Sequence, residues 1–432
     1  MGVETAVLAA PRALNQGTSS LWTAWCWPGL LAAVFFLQAL PDLRIRGSMT
    51  MGDGLLFVTL SAYALAVVLR GGAIWWPWWA TLSTVLLVVP GLVHFLPDGQ
   101  GPPGSLVWLA QLWYCQILIP VLVANLAQSR EMLRFLLRCW LASVVLAALL
   151  ALLIYQGWMP MAIAALANET AGTGRVSGFS LTSTQMGQMC ALALPLLMAH
   201  LLRDLGRLRA LAWGLGLGLL IYVINLSGAR VGLVAATVVT LTVVPAALLM
   251  RVQRVEWFWR AALMLGMAVV VASLIAAQLD DPGGALKRLL GDATAAKSDL
   301  RREMLQGQAW RRFDRAPFVG VGFVELLRPH NVWLAMLSCG GLLAFLAYAL
   351  RELLLGGAIL GAVRRTASTD GHFLILIGLL TSMGVWVLIG MFDTPLLERS
   401  SALLLGLILA WGRWALSRPM PMQALKAQGQ GS

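Results

Sequence analysis

The chain has 432 residues, of which 59% are hydrophobic and only 12% charged, with 19 tryptophans, a net charge of +12 and a mean hydropathy of +0.80. Soluble domains run to about a quarter charged, so residues 1–432 read as one transmembrane unit, a polytopic helical bundle, and not as a string of soluble domains. The positive excess sits mostly at the ends of apolar runs, where it orients spans; topology accounts for it, and no nucleic-acid partner is expected.

In chain order, twelve apolar segments predict twelve spans, at approximately 20–40, 54–70, 74–96, 104–126, 132–156, 179–202, 209–226, 229–250, 261–278, 331–350, 373–391 and 400–416. The first has no small-residue cleavage site behind it and reads as a retained signal anchor. With the N-terminus in the cytoplasm, the inside loops collect Arg130, Arg134, Arg138, Arg203, Arg207, Arg209, Arg251, Arg254, Arg260, Arg351, Arg364 and Arg365. Outside the membrane, apart from one long loop, remain Arg44, Arg46, Arg175, Arg230 and Arg399. That contrast predicts both termini inside. Cys26, Cys115, Cys139, Cys190 and Cys339 all fall in apolar segments, with neither zinc spacing nor a disulfide framework.

Two outside regions are more than connectors. Gln156 to Ser177 is rich in Gly and Ala, and the loop at 280–329 is longer than structureless loops run, so it is expected to be ordered and functional. Thr294 and Ser298 are candidate caps for a helix reaching to about Phe313, with Leu300, Met304 and Trp310 supplying apolar contacts. Asp314-Arg315-Ala316-Pro317 ends it, and Phe318 to Phe323, with glycines at 320 and 322, reads as a tight turn back to the membrane.

Candidate chemistry concentrates where this loop meets the next span. Lys287, Arg288, Lys297, Arg301, Arg302, Arg311, Arg312, Arg315 and Arg328 precede Pro329-His330-Asn331, and Val332 to Leu350 carries no charge. Arginines bind phosphate, and a neutral histidine accepts a proton. Of the four histidines, His200 and His372 fall on the cytoplasmic side and His94 at the outer end of the third segment. A histidine at a helix end also serves as a plain interfacial side chain. Eleven helical steps lead from His330 to Gly341, returning to within about 20° of the same face and roughly 16 Å deeper. Cys339-Gly340-Gly341 then leaves a strip without side chains, suited equally to helix packing and to a lipid tail. Arg301 and Arg302 lie about 100° apart around their helix, so only one can face a given site. No carboxylate pair has a metal-ligand pattern such as D-x-D, and no phosphate-binding loop, dinucleotide motif or G-x-S-x-G is present.

Taken in order, Gly174-Arg175-Val176-Ser177-Gly178, Ser227-Gly228-Ala229-Arg230, Arg301/Arg302 near Leu305, Pro317 to Gly322, and His330-Asn331-Val332-Trp333-Leu334 up to Gly341 resemble the O-antigen ligase/polymerase superfamily of bacterial membrane proteins. The resemblance covers roughly residues 170–345. It implies an all-α bundle of about twelve transmembrane helices with a helical periplasmic loop, similar to GT-C-type membrane glycosyltransferases, in the inner membrane of a Gram-negative bacterium. The implied reaction transfers O-antigen polysaccharide from undecaprenyl diphosphate to lipid A-core oligosaccharide at the periplasmic face, without metal or other cofactor. His330 and Arg301 or Arg302 are the expected catalytic residues; an Arg-x-x-x-Leu pattern selects Arg301, whereas spacing back from Pro317 favours Arg302. Arg175, Arg230, Arg328, Asn331 and Gly341 are the expected substrate-binding residues. An O-antigen polymerase would use the same donor but extend another polyprenyl-linked chain, and a protein O-oligosaccharyltransferase would act on Ser or Thr. A lipid-linked sugar transporter would need charges in mid-span and Gly/Pro-broken helices in matching halves, neither of which is clear from the sequence.

Overall fold

A computed structural model describes residues 21–37, 44–46, 49–69, 73–94, 104–127, 129–160, 175–178, 180, 182–203, 206–249, 284–291, 293–326, 329–366 and 372–417. The segment expected to span at 261–278 and the expected site residue Arg328 lie outside them. Described residues form α1 (Leu21–Leu37), α2 (Met51–Leu69), α3 (Trp78–Val93), α4 (Gly104–Trp113), a π-helical turn (Tyr114–Leu118), α5 (Ile119–Leu126) and α6 (Arg130–Tyr155). There follow α7 (Ser183–Arg203), α8 (Arg207–Ser227), α9 (Arg230–Leu249), α10 (Ala285–Leu289), α11 (Ala293–Arg315), α12 (Val332–Arg365), α13 (Phe373–Phe392) and α14 (Arg399–Leu416). A minimal antiparallel pair, Arg44–Arg46 with Met49–Thr50, precedes α2.

Helices are the expected solution for such a sequence, because a helix satisfies its own backbone groups where no water can. Among the described residues, seven helical stretches are long and apolar enough to cross a membrane, including Ser105–Leu126, Arg130–Tyr155, Ser183–Arg203, Val332–Arg365 and Phe373–Phe392. Three shorter apolar stretches, Cys26–Phe36, Trp78–Val93 and Arg230–Val243, accompany them. The protein is thus a helical membrane protein. Its centre is α7, 89% of whose apolar window is buried; it packs against α6, α8, α9 and α13.

The helix after His330 departs from expectation in two ways. It does not run straight past Gly341, where φ is 64° and ψ −161°, a conformation that only glycine reaches without strain. Breaking the helix frees backbone groups, and the Pro317–Gly322 turn takes them up: Val321 N–H donates to Ser338 O (3.1 Å) and Gly322 N–H to Cys339 O (2.9 Å). In return Leu342 N–H donates to Pro317 O (2.8 Å) and Leu343 N–H to Phe318 O (3.3 Å). A Cβ on Gly341 would sit 2.3 Å from the Phe318 carbonyl carbon, and one on Gly320 2.3 Å from that of Cys339. The strip without side chains is therefore filled by the chain's own turn, and no groove lies open along it.

Second, α12 does not stop at Leu350 but continues to Arg365. Arg351, expected in a cytoplasmic loop, is 1% exposed and paired with Glu352 inside the bundle. Adjacent opposite charges that bury together let a helix continue where hydropathy falls. The loop helix differs too. Its described part starts at Ala293, so Ser298 lies inside it and caps no end, the side chain of Thr294 lies outside the described ones, and Leu300, Met304 and Trp310 are 63%, 59% and 52% exposed. The buried side of α11 is small, with Ala295 and Ala309 at 2% and 0% exposure; small side chains permit close approach, and the larger apolar ones face away.

Candidate functional site

The ends of α7, α8, α9, α12 and α13, together with α10 and α11, converge on one end of the bundle. Arg175 comes first. Its Nε donates to Ser227 O (2.8 Å) and its Nη2 to Thr184 Oγ1 (3.4 Å), while Val176 N–H donates to Leu226 O (3.1 Å). The receiving turn is tight because Gly228 closes α8 in the left-handed conformation, φ 69°. Ser227 Oγ donates to Ile224 O (2.7 Å) and accepts from Ala229 N–H (3.3 Å). Ser227-Gly228-Ala229-Arg230 thus seats Arg175.

Arg230, next in the chain, reaches the loop helix. Its Nη1 donates to Asp299 Oδ2 (2.8 Å) and its Nη2 to Asp299 Oδ1. The hydrogen bond from Arg230 holds the Asp299 carboxyl below its usual range. Leu286 N–H donates to Asn225 Oδ1 (3.1 Å), which ties α10 to the end of α8. These two links bring α10 and α11 over the Arg175 turn.

Arg301 and Arg302 lie on different faces of α11. Arg301 is exposed, whereas Arg302 is half-buried and its charge acts on Arg175, Asp299 and Asp393. Arg288, buried on α10, adds a further positive charge beside Arg175. Burial first, then Arg288 and Arg302, pushes the Arg175 guanidinium down to about 10, with Asp393 opposing; it remains charged at neutral pH. Arg175 and Arg302 therefore share Asp393 as an opposing carboxylate, with Arg288 beside Arg175, a cluster of positive charge suited to a phosphate-bearing ligand.

His330 faces that cluster. It precedes α12 in the left-handed conformation, φ 50°, a position uncommon for a residue with a side chain. Asn331 holds it there. The Asn331 Oδ1 caps α12 by accepting from Leu334 N–H (3.0 Å), and its Nδ2 donates to Met391 O at the end of α13 (3.0 Å). Two residues beyond Met391, Asp393 Oδ1 lies 3.2 Å from His330 Nδ1 and accepts Thr394 N–H at 2.8 Å, while Oδ2 accepts Gln188 Nε2 at 2.7 Å. Burial favours the protonated Asp393 carboxyl, but the His330 and Thr394 hydrogen bonds with the His330 and Arg302 charges outweigh it and hold the group below its usual range. An anionic Asp393 accepts a hydrogen bond from Nδ1–H of a neutral ring, which leaves the Nε2 lone pair free to act as a base. The His330 side chain is 39% exposed against 17% for Asp393, so the ring, not its partner, is open to a substrate.

Arg175, Arg302, His330 and Asp393 thus form one cluster, flanked by the Arg230–Asp299 pair. Asn331 acts as a cap and clamp, and Gly341 lies under the Phe318 carbonyl. Arg288 stood in the basic run read from sequence without a role of its own, whereas Asp393 and Gln188 were not singled out. Asp393 had a signal, an acid directly after an apolar run; Gln188 had none, since only the fold brings it here. His200 and His372 sit at the opposite ends of α7 and α13, where His372 accepts from Arg134 and stacks near Trp411 and Trp414. His94 Nε2 lies 3.2 Å from Val319 O and braces the turn over Gly341. Among the described residues, no three His, Cys, Asp or Glu side chains converge to hold a metal ion. No protein-family model and no curated protein matches the chain.

Proposed function

We propose that this protein is an O-antigen ligase, an inner-membrane glycosyltransferase of about twelve spans with GT-C-like architecture. It transfers polysaccharide from undecaprenyl diphosphate to lipid A-core oligosaccharide at the periplasmic face, with both termini in the cytoplasm. The observation that carries the reading is the His330–Asp393 contact of 3.2 Å beside the charges of Arg175, Arg288 and Arg302. A base next to a cationic pocket at one end of a membrane bundle suits a hydroxyl acceptor and a diphosphate leaving group.

In the proposed reaction the acceptor hydroxyl oxygen attacks the anomeric carbon of the donor sugar. His330 Nε2 takes the hydroxyl proton as the new bond forms. The bond from the anomeric carbon to the diphosphate oxygen breaks, and Arg302 and Arg175 stabilise the charge that develops on that oxygen. Asp393 keeps the proton on Nδ1 and stabilises the imidazolium. A single displacement inverts the anomeric centre.

The test is transfer by the purified protein in lipid nanodiscs, with a synthetic undecaprenyl-diphosphate glycan as donor and lipid A-core as acceptor. Product formation with inverted configuration, lost in His330→Ala, is the expected result; retention of configuration, or full activity of His330→Ala, would overturn the mechanism. A transporter is the second reading, favoured by the buried Arg351–Glu352 pair and the break at Gly341. It predicts movement of the intact donor between leaflets with no glycosidic bond cleaved.

A further inference from the structure

The buried polar residues below the site are not explained by that chemistry. Gln116 (2% exposed), Arg351 (1%) and Glu352 (5%) lie inside the bundle, where charged side chains are expensive and seldom without a task. Gln116 belongs to the π-helical turn Tyr114–Leu118. Such turns occur mostly as single-turn bulges inside α-helices, frequently at functional sites. Arg351 Nη1 donates to Gln116 O at 3.2 Å and donates as well to Gln116 Oε1. Arg351 Nη2 donates to Glu352 Oε1, which also accepts Trp386 Nε1 at 3.0 Å. The Arg351 guanidinium lies 4.8 Å over the Tyr348 ring.

Two strands of this network lead to Asp393. Gln116 Nε2 donates to Leu396 O, three residues after Asp393 in the connection to α14, and Cys115 Sγ lies 3.7 Å from Leu397 O. Trp386, held by Glu352, stands on α13 about two turns before Asp393. The chain is therefore held on both sides of Asp393, in the loop after it by Gln116 and in the helix before it by Glu352. The adjoining cavity, lined by Ser83, Gln116, Tyr348 and Arg351 among others, measures about 10 Å³ and has room for a single water at most, so the network is not itself a ligand site.

We infer that Gln116, set in its π-helical turn and clamped by the Arg351–Glu352 pair, is a positioning residue that fixes Asp393 against His330. This rests on the reading of His330 and Asp393 as an oriented base. Burial of an ion pair gives little net stability, whereas displacing a catalytic group by an ångström costs about 10²-fold in rate; holding a loop in register is the role that fits.

The experiment is a double-mutant cycle on the full-length protein in nanodiscs. Gln116→Met keeps the length and loses both polar contacts. Gln116→Glu keeps an acceptor for Arg351 and loses the donor to Leu396 O, so it serves if the methionine variant does not fold. The expected result for either is a kcat lowered about tenfold in the Asp393 protein and less than twofold in Asp393→Asn, with the donor KM unchanged in both. The same loss in both backgrounds, a loss confined to KM, or wild-type turnover of Gln116→Glu would overturn the proposal. Should Asp393→Asn alone leave turnover intact, the oriented-base reading itself fails, and the assignment of Gln116 falls with its premise; that outcome is distinguishable because it appears in the single Asp393 variant.

Discussion

Replacing Asp393 by Asn separates an oriented base from a histidine that merely offers a hydrogen bond. Asp393 Oδ1 receives both His330 Nδ1 at 3.2 Å and Thr394 N–H at 2.8 Å, and Oδ2 receives Gln188 Nε2 at 2.7 Å. In Asp393→Asn the Thr394 N–H keeps the carbonyl oxygen at the Oδ1 position, and Gln188 turns its amide to accept from the new NH₂. Shape and tautomer stay, and the charge goes. A hydrogen bond to a charged group contributes about 1.5–3 kcal/mol and a neutral one about 0.5–1.5, so the ground state loses roughly 1–1.5 kcal/mol. The loss grows as the ring becomes imidazolium in a water-poor site. We expect kcat to fall about 10- to 100-fold, with the donor KM unchanged, against the roughly 10²- to 10⁴-fold loss expected on removing a general base in His330→Ala. The double variant should be no worse than His330→Ala. The assay is initial-rate transfer in nanodiscs at matched protein. Wild-type turnover in Asp393→Asn, or independent addition of the two losses, would refute the reasoning.

Arg302→Ala should lower kcat by about two orders of magnitude through lost stabilisation of the leaving group, whereas the exposed Arg301→Ala should change it less than about threefold; equal losses in the same assay would contradict the assignment. Gly341→Ala places a methyl 2.3 Å from the Phe318 carbonyl carbon at φ 64°, so its melting temperature should fall in detergent; an unchanged value would mean that the turn is not packed there. Glu398 lies outside the spans, where burial raises its carboxyl from 4.5 to about 8 despite Ser401, whose hydroxyl donates to it at 2.7 Å. Between those values the folded protein keeps a proton that the unfolded chain gives up, so stability falls as pH rises from about 4.5 and levels above about 8. Glu398→Gln should remove that slope, raising the melting temperature at pH 8 and leaving it unchanged at pH 4; a slope that persists would place its source elsewhere.

Hydropathy located the helices well because span length is a one-dimensional property. Phe373–Phe392 and Arg130–Tyr155 lie within a few residues of the segments read from sequence. It failed at Arg351, where a charge that pairs with its neighbour and buries looks like a loop charge until Gln116 and Trp386 are brought beside it. It failed again at Gly341, whose spacing suited an unbroken helix; the broken one depends on a turn twenty residues upstream supplying Val321 N–H and Pro317 O. At the site, Arg175, Arg230 and His330 stood out through local motifs. Asp393 did not, because its meaning comes from a His330 contact across 63 positions. Helical phase placed Arg301 and Arg302 on different faces, and in the fold Arg302 is the half-buried one whose charge acts on Asp393.

Deleting the gene from its host and resolving lipopolysaccharide and lipid-linked intermediates together tests the central claim most directly, with wild type and His330→Ala restored in parallel. A ligase predicts loss of O-antigen from lipid A-core, long chains accumulating on undecaprenyl diphosphate, and rescue by wild type alone. A core still capped by a single repeat unit would mean that the enzyme polymerises and does not ligate, and an unchanged profile would contradict the account outright.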